Sequence, residues 1–166
     1  MAGGRWGAQR PLTAKGRNDA RALGTSLAVR VGGALVLTSP ERRARDTAAL
    51  AFPSVVAGIR DQLSEVTKPW YSSGEEQANA AAAYLQGEVL AGWERREEVI
   101  SRMAQLKSDF GSSQSIVLVS HGLLLTTWID HERGLDDPFS FWSDLTMPDA
   151  WELNLADKSF DRVLRP

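Results

Sequence analysis

The apolar positions of this chain fall into short continuous runs separated by stretches of helical periodicity. Ala34–Leu37 and Ile116–Val119 contain no polar alternation, which is typical of strands buried on both faces of a parallel sheet. Before the first run, Thr13 can cap a helix whose apolar residues recur at helical spacing on one face. Those apolar residues are Ala20, Leu23 and Leu27.

Helical signals also follow the first strand run. Ser39-Pro40 predicts a helix with Ser39 as N-cap and Pro40 at the first helical position, ending near Phe52. An Ala-rich helix is predicted from Glu75 to about Trp93. An amphipathic helix then leads into the second strand run, with four apolar residues on one face. These are Val99, Met103, Leu106 and Phe110.

The remaining segments complete an alternation of helices and strands. The stretch from Pro53 to Gly74 is irregular, with a short strand expected between Ile59 and Val66, and a helix is expected from Leu123. Trp151–Leu155 and Phe160–Leu164 predict an antiparallel hairpin at a sheet edge. This order predicts a three-layer α/β/α sandwich with a mostly parallel sheet and an antiparallel edge. The 166 residues are expected to form a single domain, with residues 1–10 irregular.

Composition narrows the chemistry. A net charge of −2 argues against nucleic acid or an anionic membrane as the main partner, and no apolar stretch is long enough to span a bilayer. The chain has no cysteine and only two histidines, His121 and His131, so neither a disulfide nor a metal site is expected. The absence of cysteine and of a signal-peptide pattern favours the cytoplasm. No cofactor is expected.

Two polar turns follow the two buried strand runs. Ser120-His121-Gly122 places a histidine at a strand-to-helix turn, where open α/β sheets bind ligands and where free N–H groups favour an anion. After the first run, three arginines crowd a helix start, where the macrodipole disfavours cations. One of them can point back at an anion, since a guanidinium binds phosphate in a bidentate fork. The three are Arg42, Arg43 and Arg45.

Four motifs in this order resemble those of the histidine phosphatase superfamily, which has the phosphoglycerate-mutase-like fold. The segment from Pro11 to Leu23 is similar to the family's PLTxxGxxQA helix start, although Asp19 stands where Gln is usual. Ser39 to Ala48 resembles SPxxRAxxTA, Leu63-Ser64-Glu65 resembles the LxE turn, and Val119 to Gly122 resembles VSHG. Ala150 to Leu155 also resembles the strand that closes the family sheet, so the resemblance covers the chain from about residue 11 to its end.

The resemblance implies phosphoryl transfer through a phosphohistidine. A covalent intermediate divides one difficult step into two, and cations stabilise the charge on the phosphoryl oxygens. By position, Arg43 and His121 would hold the phosphoryl group of a small phosphorylated molecule, with Ser39 nearby. Glu65 would protonate the leaving alkoxide. Arg42 and Arg45 are expected at the surface, and His131 is expected to be structural or solvent-exposed.

The family's first strand, which carries the nucleophile in an RHG motif, has no clear counterpart. Only ten residues precede the PLT segment, and Arg5-Trp6-Gly7 has tryptophan where the family has histidine. Three explanations remain open. The sequence can begin inside a longer phosphatase, which the intact remainder favours; the chain can be a pseudophosphatase that binds a phosphorylated ligand or a protein; or His121 can replace the nucleophile.

Two other classes of function have little support. A serine hydrolase using Ser120 or Ser39 would lack the G-x-S-x-G elbow, and Ser120 adjoins His121 in unsuitable geometry. Gly32-Gly33 lacks the spacing of a nucleotide-binding loop. The missing strand also has a structural consequence, because the strands at Val36 and Leu118 would face an unfilled slot. Residues 1–10 could fill this slot as a makeshift strand, but Gly3, Gly4 and Gly7 favour an open slot, so we expect marginal stability and a tendency to self-associate.

Overall fold

A computed structural model describes residues 9–110 and 114–164. The Arg5-Trp6-Gly7 segment and most of the N-terminal stretch expected to be irregular therefore lie outside the described residues. Six α-helices are described in chain order: α1 Ala14–Leu27, α2 Arg42–Ala51, α3 Gly74–Leu85, α4 Arg96–Ser108, α5 Gly122–Arg133 and α6 Pro138–Ser143. In the described ranges, no helix is long and apolar enough to cross a membrane.

The strands form a parallel sheet and a separate hairpin. β1 (Leu35–Thr38) lies between β2 (Gly58–Ile59) and β3 (Ile116–Val119), and both pairings are parallel. β4 (Ala150–Leu153) and β5 (Phe160–Leu164) form an antiparallel pair of their own. The predicted α/β fold with a mainly parallel sheet is confirmed, and the predicted hairpin forms, but among the described residues it pairs with neither edge of the parallel sheet, so its expected place at the sheet edge is wrong.

Helices cover both faces of β1, which makes three layers. Val36 packs in a cluster with side chains of α1 and α2, whereas the next residue, Leu37, packs in a cluster with α3, α4 and α5. Successive strand residues point to opposite faces, so one strand anchors both cores. On the first face, Gly24 of α1 lies directly against Ala51 of α2, where an added Cβ would fall 2.1 Å from the Ala51 carbonyl oxygen.

The prediction that β3 is buried on both faces is wrong. Val36, Leu37 and Thr38 of β1 are buried, but all four residues of β3 are partly exposed. β1 has a strand on each side, whereas no strand of the described residues pairs with the second edge of β3. The expected slot therefore does not lie between β1 and β3, which pair directly. An edge that no described strand covers leaves the apolar β3 partly accessible to solvent.

Several element boundaries also differ from the expected ones. Ser39 is not the N-cap of α2, because that helix begins at Arg42 after Glu41. The Ala-rich helix α3 ends at Leu85, and Gly87 follows with a φ of +96°, a conformation that favours glycine. The strand expected between residues 59 and 66 is reduced to β2 and a 3-10 turn, Asp61–Leu63.

Candidate functional site

The carboxyl ends of β1 and β3 meet at one edge of the sheet. Thr38 and Val119 are register partners, and the Ser39 amide donates to the Val119 carbonyl at 2.9 Å. Ser39 and His121, which follow these strand ends, therefore become neighbours, although they are 82 positions apart. The Ser39 hydroxyl lies 2.8 Å from Nε2 of His121. Both side chains are buried, so the contact between them is shielded from solvent.

Arg43 contacts the other nitrogen of the same ring. A guanidinium nitrogen of Arg43 lies 3.0 Å from Nδ1 of His121. Since a guanidinium can only donate, Nδ1 must accept, which assigns the ring proton to Nε2. Arg43 is half-buried, whereas Arg42 and Arg45 are more open to solvent, so only the middle arginine of the three turns into the site.

Glu41 is a member of the site that the sequence analysis missed. Its Oε2 accepts a hydrogen bond from the Ser39 hydroxyl and lies 3.1 Å from Nε2 of His121. Its Oε1 accepts from the backbone N–H of Glu65 at 3.3 Å. Although Glu41 is the N-cap residue of α2, its side chain makes no capping bond. Both carboxylate oxygens are therefore used inside the site.

The Glu41 carboxylate is ionised at neutral pH. Burial alone would raise the pKa of Glu41, but the hydrogen bonds from His121 and Ser39 outweigh it and lower the pKa to about 2. No feature of the sequence marks this residue, because an acidic side chain at a helix start is ordinary and normally solvated. Only the long-range contact with His121 distinguishes it.

Glu65 reaches the site through its backbone. Its carboxylate accepts a hydrogen bond from the Val66 N–H at 2.9 Å and lies 3.6 Å from the Lys68 ammonium. The loop is tied to the strand end by Ser120, whose hydroxyl donates to the Leu63 carbonyl at 2.7 Å. The structure thus brings Glu65 beside Glu41 with its carboxylate held by neighbours in its own loop.

His131 lies apart from this site. It is exposed in the last turn of α5, the helix that begins immediately after His121. A helix rises about 1.5 Å per residue, so the roughly ten positions between the two histidines separate them by about 15 Å. In the described ranges, no group of three His, Cys, Asp or Glu side chains is arranged to hold a metal ion.

The donors at the strand ends suit an oxyanion. Arg43 supplies a guanidinium, His121 an imidazole, Ser39 a hydroxyl and Glu65 a backbone N–H, and all converge where two parallel strands end. Charged and neutral N–H donors together make the short, strong hydrogen bonds that phosphate and carboxylate groups accept. In this structure the oxyanion that meets the Ser39, His121 and Glu65 donors is the chain's own Glu41.

The sequence matches one family model over most of its length. The model describes the histidine phosphatase superfamily, branch 1, and it matches residues 4–155, a span that includes Arg5-Trp6-Gly7. No curated protein matches the chain at a significant level.

Solved structures share the fold. A mycobacterial glucosyl-3-phosphoglycerate phosphatase in complex with inorganic phosphate superposes with a TM-score of 0.65 at 24% identity, over 86% of this chain and 77% of that one. A provisionally assigned alpha-ribazole-5'-P phosphatase from Escherichia coli gives a TM-score of 0.60 at 26% identity, over 82% and 73%. A protein from Thermus thermophilus gives a TM-score of 0.63 at 22% identity, over 86% and 78%.

Proposed function

This chain belongs to the histidine phosphatase superfamily, and we propose that Ser39, Arg43 and His121 bind the phosphoryl group of a small phosphorylated molecule. The contact between the Arg43 guanidinium and His121 Nδ1, 3.0 Å long, carries the proposal. It joins a cation to an imidazole at the carboxyl ends of parallel strands, the usual ligand position in an open α/β sheet. Phosphate is the first ligand to test, since a fold neighbour is a phosphatase in complex with it.

Hydrolysis needs a nucleophile that the sequence given does not supply in the family's position. The only histidines are His121 and His131. Trp6, which stands where the family's RHG motif has histidine, cannot act as the nucleophile that becomes phosphorylated. We therefore propose that this sequence binds phosphate without turning over a phosphomonoester. A histidine encoded upstream would restore hydrolysis, with Glu65 as proton donor to the leaving alkoxide.

His121 is a poor candidate for a substitute nucleophile. A ring nitrogen attacks phosphorus through a free lone pair, and the only lone pair of this tautomer, on Nδ1, accepts the hydrogen bond from Arg43. The protonated Nε2 faces Ser39 and Glu41. The second candidate function is therefore a pseudophosphatase, in which the same donors hold a phosphorylated ligand or a phosphorylated site on a partner protein. We propose the cytoplasm as its location, supported by the lack of cysteine.

Phosphate titration of matched variants tests the proposal. Calorimetry with inorganic phosphate should detect binding to the wild type, and Arg43→Ala should weaken it by at least about tenfold, because a charge-assisted donor is lost. Arg45→Ala is the control, since it removes the same charge from an exposed position further along the same helix. Equal effects of the two substitutions on the phosphate affinity would refute the phosphate site.

The origin of the missing nucleophile has a separate test. Translation of the nucleotides upstream of Met1 should be searched for an in-frame strand that ends in Arg-His-Gly. If such a strand is encoded, the extended protein should hydrolyse aryl phosphates. If it is not encoded, the pseudophosphatase interpretation is favoured, and phosphate binding by the chain as given becomes its only expected activity.

A further inference from the structure

Glu41 occupies donors that a phosphate group would need. Its two carboxylate oxygens take the Ser39 hydroxyl, the Glu65 backbone N–H and the His121 ring nitrogen Nε2. The side chain retains 13% of its exposure, so it lies inside the site and is not a solvated surface group. Donors from three separate segments of the chain therefore converge on one internal anion.

The position of Glu41 in the helix shows that this arrangement is not a by-product of capping. As the N-cap residue of α2, Glu41 could accept hydrogen bonds from the free N–H groups of the first turn. Its side chain makes no such bond and turns away from its helix. The first turn of α2 contains no acidic residue that could take its place. The carboxylate instead bonds to Ser39, two positions earlier, and to the distant partners Glu65 and His121.

A carboxylate and a phosphate cannot share these donors. Each N–H or O–H donates one strong hydrogen bond, and two anions at hydrogen-bond distance from the same group repel each other at close range. We infer that Glu41 is a built-in competitor of phosphate: it fills the site when no ligand is bound and must swing out before a phosphoryl group can enter. This inference rests on the proposed phosphate site.

Competition of this kind lowers affinity without removing the site. When the open conformation is a minor fraction of the protein, the apparent dissociation constant rises by the inverse of that fraction. A site that is open in about a tenth of the molecules would bind phosphate about tenfold more weakly than one that is always open. The opposite role for Glu41, holding His121 in place for the ligand, requires the opposite result on substitution, so the two roles can be separated.

The phosphate affinities of Glu41→Gln and of a matched control variant decide between the two roles of Glu41, competitor of phosphate and support for His121. Glu41→Gln removes the charge and keeps the shape, and it should bind inorganic phosphate at least about tenfold more tightly than the wild type. Asp46→Asn is the control, because it removes the same charge from the same helix at a half-exposed position, where Asp46 pairs with Arg42 at 3.6 Å. This control should keep the wild-type affinity.

The outcomes separate this inference from the proposed function. Phosphate binding by the wild type with equal or weaker binding by Glu41→Gln would overturn the inference and leave the phosphate site standing. Absence of phosphate binding in both proteins would overturn both. Binding by Glu41→Gln alone would support both, with the closed state dominant in the wild type.

A measurement on the wild type covers the case in which Glu41→Gln fails to fold. The side-chain carboxyl carbon of Glu41 can be followed by NMR in protein labelled with 13C-glutamate and assigned through its own side-chain bonds. Saturating inorganic phosphate should shift this resonance towards that of solvated glutamates, because the carboxylate leaves the Ser39 and His121 donors. An unchanged Glu41 resonance in phosphate-saturated protein would overturn the inference.

Discussion

Arg43 donates a guanidinium N–H to Nδ1 of His121 across 3.0 Å, and this contact sets the proton arrangement of the site. With Nδ1 as acceptor, the ring proton sits on Nε2 and faces Ser39 and Glu41. The Ser39 hydroxyl in turn donates to Glu41. One guanidinium thus orients a chain of hydrogen bonds that ends at a carboxylate, and each ring nitrogen of His121 has a partner.

We predict negligible hydrolysis of a simple aryl phosphate by the chain as given, because the Nδ1 lone pair of His121 is held by Arg43. The measurement is release of the aryl alcohol by the wild type, by His121→Ala and by His131→Ala, which removes the exposed histidine of α5. Turnover at ordinary enzymatic rates that disappears only in His121→Ala would make His121 the nucleophile and contradict the proton arrangement above.

Glu41 should make the folded protein sensitive to acid. Its pKa falls from an ordinary 4.5 to about 2 on folding, so between these values the unfolded state binds more protons and stability rises with pH. The stabilisation is present above about pH 4.5 and is lost as the pH falls towards about 2. Urea unfolding across this acidic range should show a flatter pH dependence for Glu41→Gln than for the wild type. Parallel curves would contradict the lowered pKa.

Gly24→Ala should destabilise the packing of α1 against α2. A new Cβ would lie 2.1 Å from the Ala51 carbonyl oxygen, which is fixed backbone, so the helices must separate. Overpacking costs about 1–3 kcal/mol, and because three backbone atoms of Ala51 would lie within 2.6 Å of the new Cβ, we expect a cost near the upper end of that range. This cost exceeds the roughly 1 kcal/mol that alanine gains over glycine inside a helix. Gly32→Ala is the control, because the nearest atom to its added Cβ would be 3.9 Å away. Equal unfolding free energies for the two variants would refute the close approach.

Amide exchange should alternate along β3. The Leu35 amide donates to Ser115 and the Ser39 amide to Val119, so the parallel ladder directs the amides of Val117 and Val119 towards β1. The amides of Ile116 and Leu118 then point to the second edge, where no described strand pairs. Amide hydrogen exchange followed by NMR should be fast at Ile116 and Leu118 and slow at Val117 and Val119. Slow exchange at all four would show that a strand covers this edge.

The second edge of β3 also leads us to predict self-association and marginal stability. No strand of the described residues pairs with this edge, and unpaired N–H and C=O groups beside an apolar, partly exposed strand invite pairing with a second molecule. Size-exclusion chromatography should show an apparent mass that rises with protein concentration. Thermal unfolding should have a low midpoint temperature or a broad transition. A monomer with a sharp transition at about 45–65 °C, the range of ordinary mesophilic domains, would contradict both expectations.

Local sequence signals located most of the regular elements. The runs at Val36 and Leu118 predicted two parallel strands, and Thr13 predicted a helix start, which its hydroxyl confirms by accepting from the Gly16 amide at 3.0 Å. These signals are local, because strand propensity, helical periodicity and capping each depend on residues a few positions apart. The family resemblance implied that Ser39 would lie near Arg43 and His121, and the pairing of β1 with β3 puts the two strand ends at the same edge of the sheet.

The tertiary structure decided the contacts between distant residues. Ser39 was expected to cap α2, but His121 lies 2.8 Å from its hydroxyl, and the helix begins at Arg42 instead. No sequence feature marked Glu41, because its partners Glu65 and His121 lie on two other segments of the chain. β3 looked fully buried, yet burial depends on which strand lies beside it. The local amino-acid pattern determines which secondary structure a segment can form. Partners far along the chain determine which of its polar groups are hydrogen-bonded and which of its apolar side chains are buried.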